Sequence, residues 1–161
     1  MARTKIALIG AGKFGSMYLS QIPRTPGVHL LGIADLAPQQ AQANLRRVGW
    51  PAEKTQAKTL DQALKDGSTC VNDDWRALVE HPALDVLVEC TGSPPHAVEH
   101  ILHAFAHGKH VVNVTVEADA EVGADLADLL DHLLQVFGDG GVGVMVRKAA
   151  VDLDVEQVVP G

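Results

Sequence analysis

The 161 residues, 47% of them hydrophobic, suffice for one globular domain of ordinary size. A formal charge of -7 at pH 7 excludes the basic face that holds a nucleic-acid backbone, and no run approaches the roughly 18 apolar residues of a membrane-spanning helix. Cys70 and Cys90 lack CxxC spacing and lie in or beside apolar runs, which excludes a disulfide framework and leaves them as small buried hydrophobes.

Met1 to Lys5 lead straight into a strand-like segment without the apolar core of a signal peptide, which predicts a cytoplasmic protein. Lys5 to Ile9 is an apolar run of strand length, followed by a glycine turn and a helix over Phe14 to Gln21. Pro23 and Pro26-Gly27 stop that helix, and Val28 to Ala34 form a second strand ending at Asp35. Pro38 suits a helix start, so Gln39 to Val48 reads as helix, closed by Gly49 and Pro51. Short elements follow: a helix over Thr59 to Lys65, a weak strand over Ser68 to Val71 and a helix over Asp74 to Glu80. Leu84 to Cys90 has the nearly continuous apolar character of a parallel strand covered on both faces. Ser93 is placed as an N-cap and Pro94 as the first residue of a helix running to His107, which Gly108 ends. Val111 to Val116 gives a β-branched strand, and Ala120 to Val136 a leucine-patterned helix. Strands alternating with helices in this way predict a Rossmann-type α/β fold with a doubly wound parallel sheet. The domain is expected over residues 1–136, with 137–161 a divergent tail that has room for one more strand at Val142 to Val146.

The chemistry starts at Gly10-Ala11-Gly12-Lys13-Phe14-Gly15. In such a turn the first glycine permits the tight bend, the second lets backbone N–H groups approach a pyrophosphate, and the third allows close helix–strand packing. The helix N-terminus adds partial positive charge. GxGxxG alone is weak, but here a strand precedes it, a helix and second strand follow, and Asp35 stands about 20 residues past Gly15, where a carboxylate accepts from ribose hydroxyls. The turn and Asp35 therefore predict a dinucleotide site, with Gly10, Gly12, Lys13, Phe14, Gly15 and Asp35 binding. Asp35 as a plain turn residue is the bland alternative. A carboxylate there repels a 2′-phosphate and favours NAD, while NADP stays open; Arg46 and Arg47 read as a solvated basic pair rather than a phosphate clamp.

Thr91 and Gly92 follow the fourth strand on the ligand-binding edge and are candidates for cofactor contact, although Thr91-Gly92 also simply turns the chain into a helix. Asn113, Thr115 and Glu117 lie in or after the fifth strand, where nicotinamide and substrate would meet; Asn113 is assigned to the cofactor and Glu117 is a weak catalytic candidate without a visible partner. His96, His100, His103 and His107 fall on one helix face, opposite Val98, Ile101, Leu102 and Phe105. The apolar set is expected to be the buried side and the histidine stripe solvent-facing, with no metal site.

The turn, together with Val88-Glu89-Cys90-Thr91-Gly92 and the segment Gly108-Lys109-His110-Val111-Val112-Asn113-Val114-Thr115-Val116-Glu117-Ala118-Asp119, resembles the N-terminal domain of homoserine-dehydrogenase-like oxidoreductases. The resemblance is to the subgroup with a C-terminal SAF domain, similar to deoxyxylulose-phosphate-reductoisomerase-like enzymes, and runs from about Lys5 to Leu134. It implies NAD(P)-dependent oxidation or reduction of a small polar or phosphorylated metabolite, in a chain able to form homo-oligomers. Typical homoserine dehydrogenases place a lysine near the end of the fifth strand, where this chain has Glu117. The family continues into a catalytic and dimerising region, and Gln135 onward does not follow that pattern, so the expectation is a truncated enzyme. A stand-alone nucleotide-binding sensor and an S-adenosylmethionine methyltransferase are the alternative readings; Lys109 to Asp119 argues against the second.

Overall fold

The computed structural model describes residues 3–115. The first βαβ unit is β1 (Thr4–Ile9), α1 (Lys13–Leu19) and β2 (Val28–Ala34). A 3-10 turn over Ile22–Arg24, with Pro23 inside it, separates α1 from β2 and ends the helix short of Gln21. α2 (Pro38–Arg47) starts with Pro38 in its first turn, where the missing N–H costs no intrahelical bond. α3 (Leu60–Asp66) is capped by Thr59, whose Oγ1 accepts from the Gln62 N–H at 3.1 Å, and is closed by Gly67 in the left-handed region. β3 (Cys70–Asn72) follows, then α4 (Trp75–Glu80), capped by the Asp74 carboxylate accepting from the Ala77 N–H at 2.9 Å. β4 (Val86–Glu89), α5 (Pro94–Ala106) and β5 (His110–Asn113) complete the described elements.

All strand pairs are parallel and the order is β3-β2-β1-β4-β5. The chain winds outward from β1 in one direction and then in the other, which makes the sheet doubly wound, as the alternating pattern predicts. Its strand order reverses between β1 and β4, and a crevice opens there at the carboxyl ends of the strands. β1 divides the core by its own alternation: Ile6 and Leu8 pack with Leu19, Leu30, Ile33, Leu45 and Val88, whereas Ala7 and Ile9 pack with Leu78, Val79, Leu84, Leu87 and Ala104. The register of β1 on β2 slips between Ile6 and Ala7, which pair with Leu30 and Gly32. This bulge puts Leu30 and Ile33 in the same cluster although they are three apart, and Leu31 joins a third with Ala57, Ala63 and Cys70.

Several elements differ from the sequence expectation. β3 is an edge strand that starts two residues later than expected and ends one later, held on β2 by Gly32, Ile33 and Ala34. β4 starts at Val86 because Leu84 is spent in a turn, its N–H donating to the His81 carbonyl at 3.0 Å. Lys109 closes that turn: its buried Nζ donates to the carbonyls of His81 at 2.9 Å and Leu84 at 3.1 Å. Burial lowers its pKa, partly offset by Asp85. Ser93 stands at the N-cap of α5 but caps nothing; Pro94 and Pro95 offer no N–H, and the Ser93 hydroxyl instead meets His96 Nδ1 at 2.8 Å.

The largest correction concerns α5. Its buried residues are Ala97, His100, Ile101 and Ala104, so the histidine stripe is not uniformly solvent-facing. His100 is 5% exposed and paired with a buried carboxylate, His103 is half-buried, and His96 and His107 are exposed. Val98, Leu102 and Phe105 are only half-buried. Small alanines let the helix approach the sheet closely and rotate its contact face toward His100. Val116, Glu117, the helix expected over 120–136 and the tail over 137–161 lie outside the described residues.

Candidate functional site

Three strand ends meet at the crevice. Gly10 leaves β1 with φ +89°, and a Cβ on it would lie 2.8 Å from the Cys90 carbonyl oxygen, so both its conformation and its neighbour on β4 demand glycine. Gly15 is fixed for a different reason: a Cβ there would lie 2.4 Å from the Gly10 carbonyl oxygen, so α1 can pack on its own turn only with no side chain. Gly12 is the reverse case. A Cβ on it would meet nothing within 4 Å, so the backbone of the turn faces open space. That pattern fits a bound pyrophosphate, for which the turn has to be tight, close to the strand and bare on the ligand side. Lys13 and Phe14 open α1, where the first N–H groups have no intrahelical acceptor, and both side chains are exposed.

Asp35 follows β2, half-exposed. Its Oδ2 accepts from the Ala11 N–H at 2.7 Å and its Oδ1 from the Ala37 N–H at 2.8 Å. The carboxylate therefore does act as a turn residue, and it also ties the end of β2 to the glycine turn. Each oxygen keeps a lone pair, so ribose hydroxyls can still donate to it. Two residues unmarked in the sequence reading complete the support. Asn44 of α2 donates from Nδ2 to the Ala11 carbonyl at 2.9 Å, and the buried Ser16 hydroxyl donates to the same carbonyl at 3.3 Å. An open groove of about 520 Å³ runs between α1 and α2, lined among others by Gly12, Lys13, Ser16, Asn44 and Arg47.

On the β4 side the organising residue is Glu89, fully buried at the end of the strand. Its Oε1 accepts from the Thr91 hydroxyl at 2.6 Å and the Thr91 N–H at 3.2 Å, and lies 3.3 Å from His100 Nδ1. Its Oε2 accepts from the Thr115 hydroxyl, whose oxygen in turn accepts from the Gly92 N–H at 3.1 Å. Burial alone would raise the Glu89 pKa; the bonds from His100, Thr115 and Thr91 outweigh it and hold the carboxyl below its usual range. The arrangement fixes the Thr91-Gly92 turn and the exit of β5 as one unit. Asn113, expected at the cofactor, accepts from the Thr115 N–H through Oδ1 at 3.0 Å and is half-buried beside that turn.

Cys90 lies between the two halves. Its thiol is pushed up to about 12 by burial and by the Glu89 charge, so it stays protonated near neutrality and is no nucleophile. Burial raises the Cys70 thiol as well, and both cysteines are free.

The structure thus brings Gly10, Gly12, Lys13, Phe14, Gly15 and Asp35 together on one side of the crevice and Thr91, Gly92 and Asn113 on the other. Sequence reasoning missed Glu89, His100, Thr115 as a network partner, and Asn44. An acidic residue at the end of an otherwise apolar strand was the available signal for the first.

No curated protein matches the chain. Among solved structures, it is similar to levoglucosan dehydrogenase in complex with NADH and L-sorbose, at 23% identity over 70% of this chain and 27% of that chain, with a TM-score of 0.49. A crystal structure of an NAD binding oxidoreductase from Klebsiella pneumoniae matches at 26% identity over 76% of this chain and 33% of that one, with a TM-score of 0.46. The chain thus spans a third or less of the length of these structures. The model of the homoserine dehydrogenase NAD-binding domain matches residues 10–132, which contain the glycine turn, Asp35, Glu89 to Gly92 and the β5 segment. The chain belongs to the family of homoserine dehydrogenase NAD-binding domains.

Proposed function

We propose that the chain binds NAD across the β1–β4 crevice and serves an oxidoreductase acting on a small polar, or phosphorylated, metabolite. Gly10, Gly12, Lys13, Phe14 and Gly15 receive the pyrophosphate, with the bare face of Gly12 giving the phosphates their closest approach. Asp35 accepts from the adenosine ribose hydroxyls through the lone pairs that Ala11 and Ala37 leave free. Thr91, Gly92 and Asn113 border the far end of the dinucleotide. The bound nicotinamide supplies hydride transfer; the residues of this chain hold it in place, and Glu117 is the side chain proposed to handle a proton beside it. Support for the reading comes chiefly from one observation: the glycine turn and Asp35 are joined directly, by the bond from the Ala11 N–H to Asp35 Oδ2 at 2.7 Å, as a turn and a carboxylate serving one dinucleotide would be.

Calorimetric titration with NADH, NADPH and S-adenosylmethionine tests it. NADH is expected to bind, and NADPH more weakly because its 2′-phosphate meets the Asp35 carboxylate. Failure of both dinucleotides to bind would sink the reading, and S-adenosylmethionine binding alone would replace it with a methyltransferase. Tight NADH binding without turnover of any small hydroxylated substrate would mark a nucleotide sensor instead.

A further inference from the structure

α5 runs from the crevice back to the amino ends of the strands, and its last turns lie beside the end of α4. Glu80 of α4 and His103 of α5 meet there, with His103 Nε2 2.9 Å from Glu80 Oε1, a contact whose proton a bound cation would displace to solvent. His107, which caps the end of α5 one turn further on, stacks at a tilt on His103 with ring centroids 4.4 Å apart. One ligand atom from each of the three side chains lies within 4.8 Å of the others. We propose that Glu80, His103 and His107 form a three-ligand site for a zinc-class divalent cation that staples α4 to α5.

Four features carry this beyond a chance cluster of polar groups. The ligand types suit the ion, since two imidazoles and a carboxylate with one open position are a recurrent zinc set. The two histidines sit four residues apart on a helix, which places them on one face. His107 Nδ1 is 2.8 Å from the His103 carbonyl oxygen, so it carries the proton and donates, leaving Nε2 with its lone pair for a metal; a backbone partner of this kind is what orients ligating histidines. The fourth is support: Trp75 packs edge-on against His103 at 5.2 Å between centroids, and an Arg76–Glu99 ion pair ties the same two helices. Tetrahedral ligands with bonds of about 2.1 Å stand about 3.4 Å apart, so the three groups need only small side-chain movements to close a 4.8 Å spread, and the carboxylate of the exposed Glu80 can swing toward the two imidazoles. Helical spacing alone shows only the histidine stripe; Glu80 comes from another helix and joins it only in the fold.

The site stands at the C-terminal ends of α4 and α5, away from the crevice, so its effect is on the packing of α4 against α5 and not on cofactor chemistry. Zn²⁺ titrated by calorimetry into the chelator-stripped chain is expected to bind once per chain and to raise Tm, reversibly on adding a chelator. Cu²⁺, with the same ligand preference, is expected to quench fluorescence through Trp75. His107→Ala and Glu80→Gln, both at exposed positions, are each expected to weaken Zn²⁺ by at least about tenfold, while His110→Ala on β5 leaves it unchanged. The proposal is overturned by the absence of saturable binding, by affinity that survives both variants, or by loss of binding in His110→Ala. None of these readouts depends on NAD binding.

Discussion

The crevice is flanked by two carboxylates that do opposite work. Asp35, at the end of β2, is half-exposed and spends one lone pair of each oxygen on a backbone N–H. Glu89, at the end of β4, is fully buried and is bonded to Thr91, Thr115 and His100. The first therefore has acceptor capacity left for a ligand. The second has been used up on its own surroundings, and what it offers is a fixed Thr91-Gly92 turn. Position at a strand end does not separate the two; accessibility and partners do.

Substitution of Glu89 should break this contrast most. Glu89→Ala removes the acceptor of the buried Thr115 hydroxyl and His100 and of the half-buried Thr91 hydroxyl and N–H, and unsatisfied buried donors cost about 1–3 kcal/mol each before any relaxation. We expect a loss of about 4 kcal/mol in denaturant unfolding, with NADH binding lost alongside it. Glu89→Gln should cost less and change the pH dependence. Because the folded-state pKa of Glu89 lies below the unfolded one, its stabilisation is fully present above the unfolded value of about 4.3 and fades as pH falls through the folded value. The acid limb of a stability profile should be flatter in Glu89→Gln than in the wild type; an identical limb would show that Glu89 is not the group that titrates.

Gly15→Ala is the next largest. A Cβ 2.4 Å from the backbone oxygen of Gly10 cannot be relieved by a side-chain rotation, so α1 must move off the turn. Overpacking of this kind costs about 1–3 kcal/mol, and displacement of the α1 N-terminus should weaken NADH at the same time. Gly12→Ala places its methyl in free space and should leave stability nearly unchanged while lowering NADH affinity. Together the two variants separate a glycine needed by the fold from one needed by the ligand.

How much of this was legible follows the range of the interactions. The glycine turn, Asp35 and the α2 start at Pro38 are set by neighbours in sequence, and spacing exposes them. Glu89 reads only as one acidic residue in an apolar strand, because Thr115 and His100 reach it from 26 and 11 residues away. The histidine stripe misled for a related reason. Hydropathy ranks Val98, Leu102 and Phe105 above Ala97 and Ala104, yet the alanines bury because they allow close approach, and His100 buries because a carboxylate waits for it. The β2 bulge at Leu31 has one mark in the sequence, the isolated Gly32 that follows it in an otherwise apolar strand.

Asp35→Asn probes the other carboxylate. Its Oδ1 can still accept one N–H, but the amide nitrogen would face a donor, so one of the bonds to Ala11 and Ala37 is lost, at about 1 kcal/mol. The larger change is expected in preference: with the negative charge gone, the ratio of NADPH to NADH affinity should rise by about tenfold or more. An unchanged ratio would remove Asp35 from the ribose.

The smallest effect is expected at Cys90, which lies beside Glu89 and reports on it. With its thiol pushed up to about 12, Cys90 carries almost no thiolate at pH 8, far less than an unperturbed cysteine. Alkylation by iodoacetamide in the folded protein should therefore be barely detectable at that pH. Burial is the leading cause of the shift, ahead of the Glu89 charge, so neutralising the charge in Glu89→Gln should leave Cys90 nearly as inert. Glu89→Ala differs, because it loosens the network and opens the strand end. Faster labelling of Cys90 in Glu89→Ala than in Glu89→Gln would show that the carboxylate guards this edge through its hydrogen bonds, and equal labelling would show that packing alone does so.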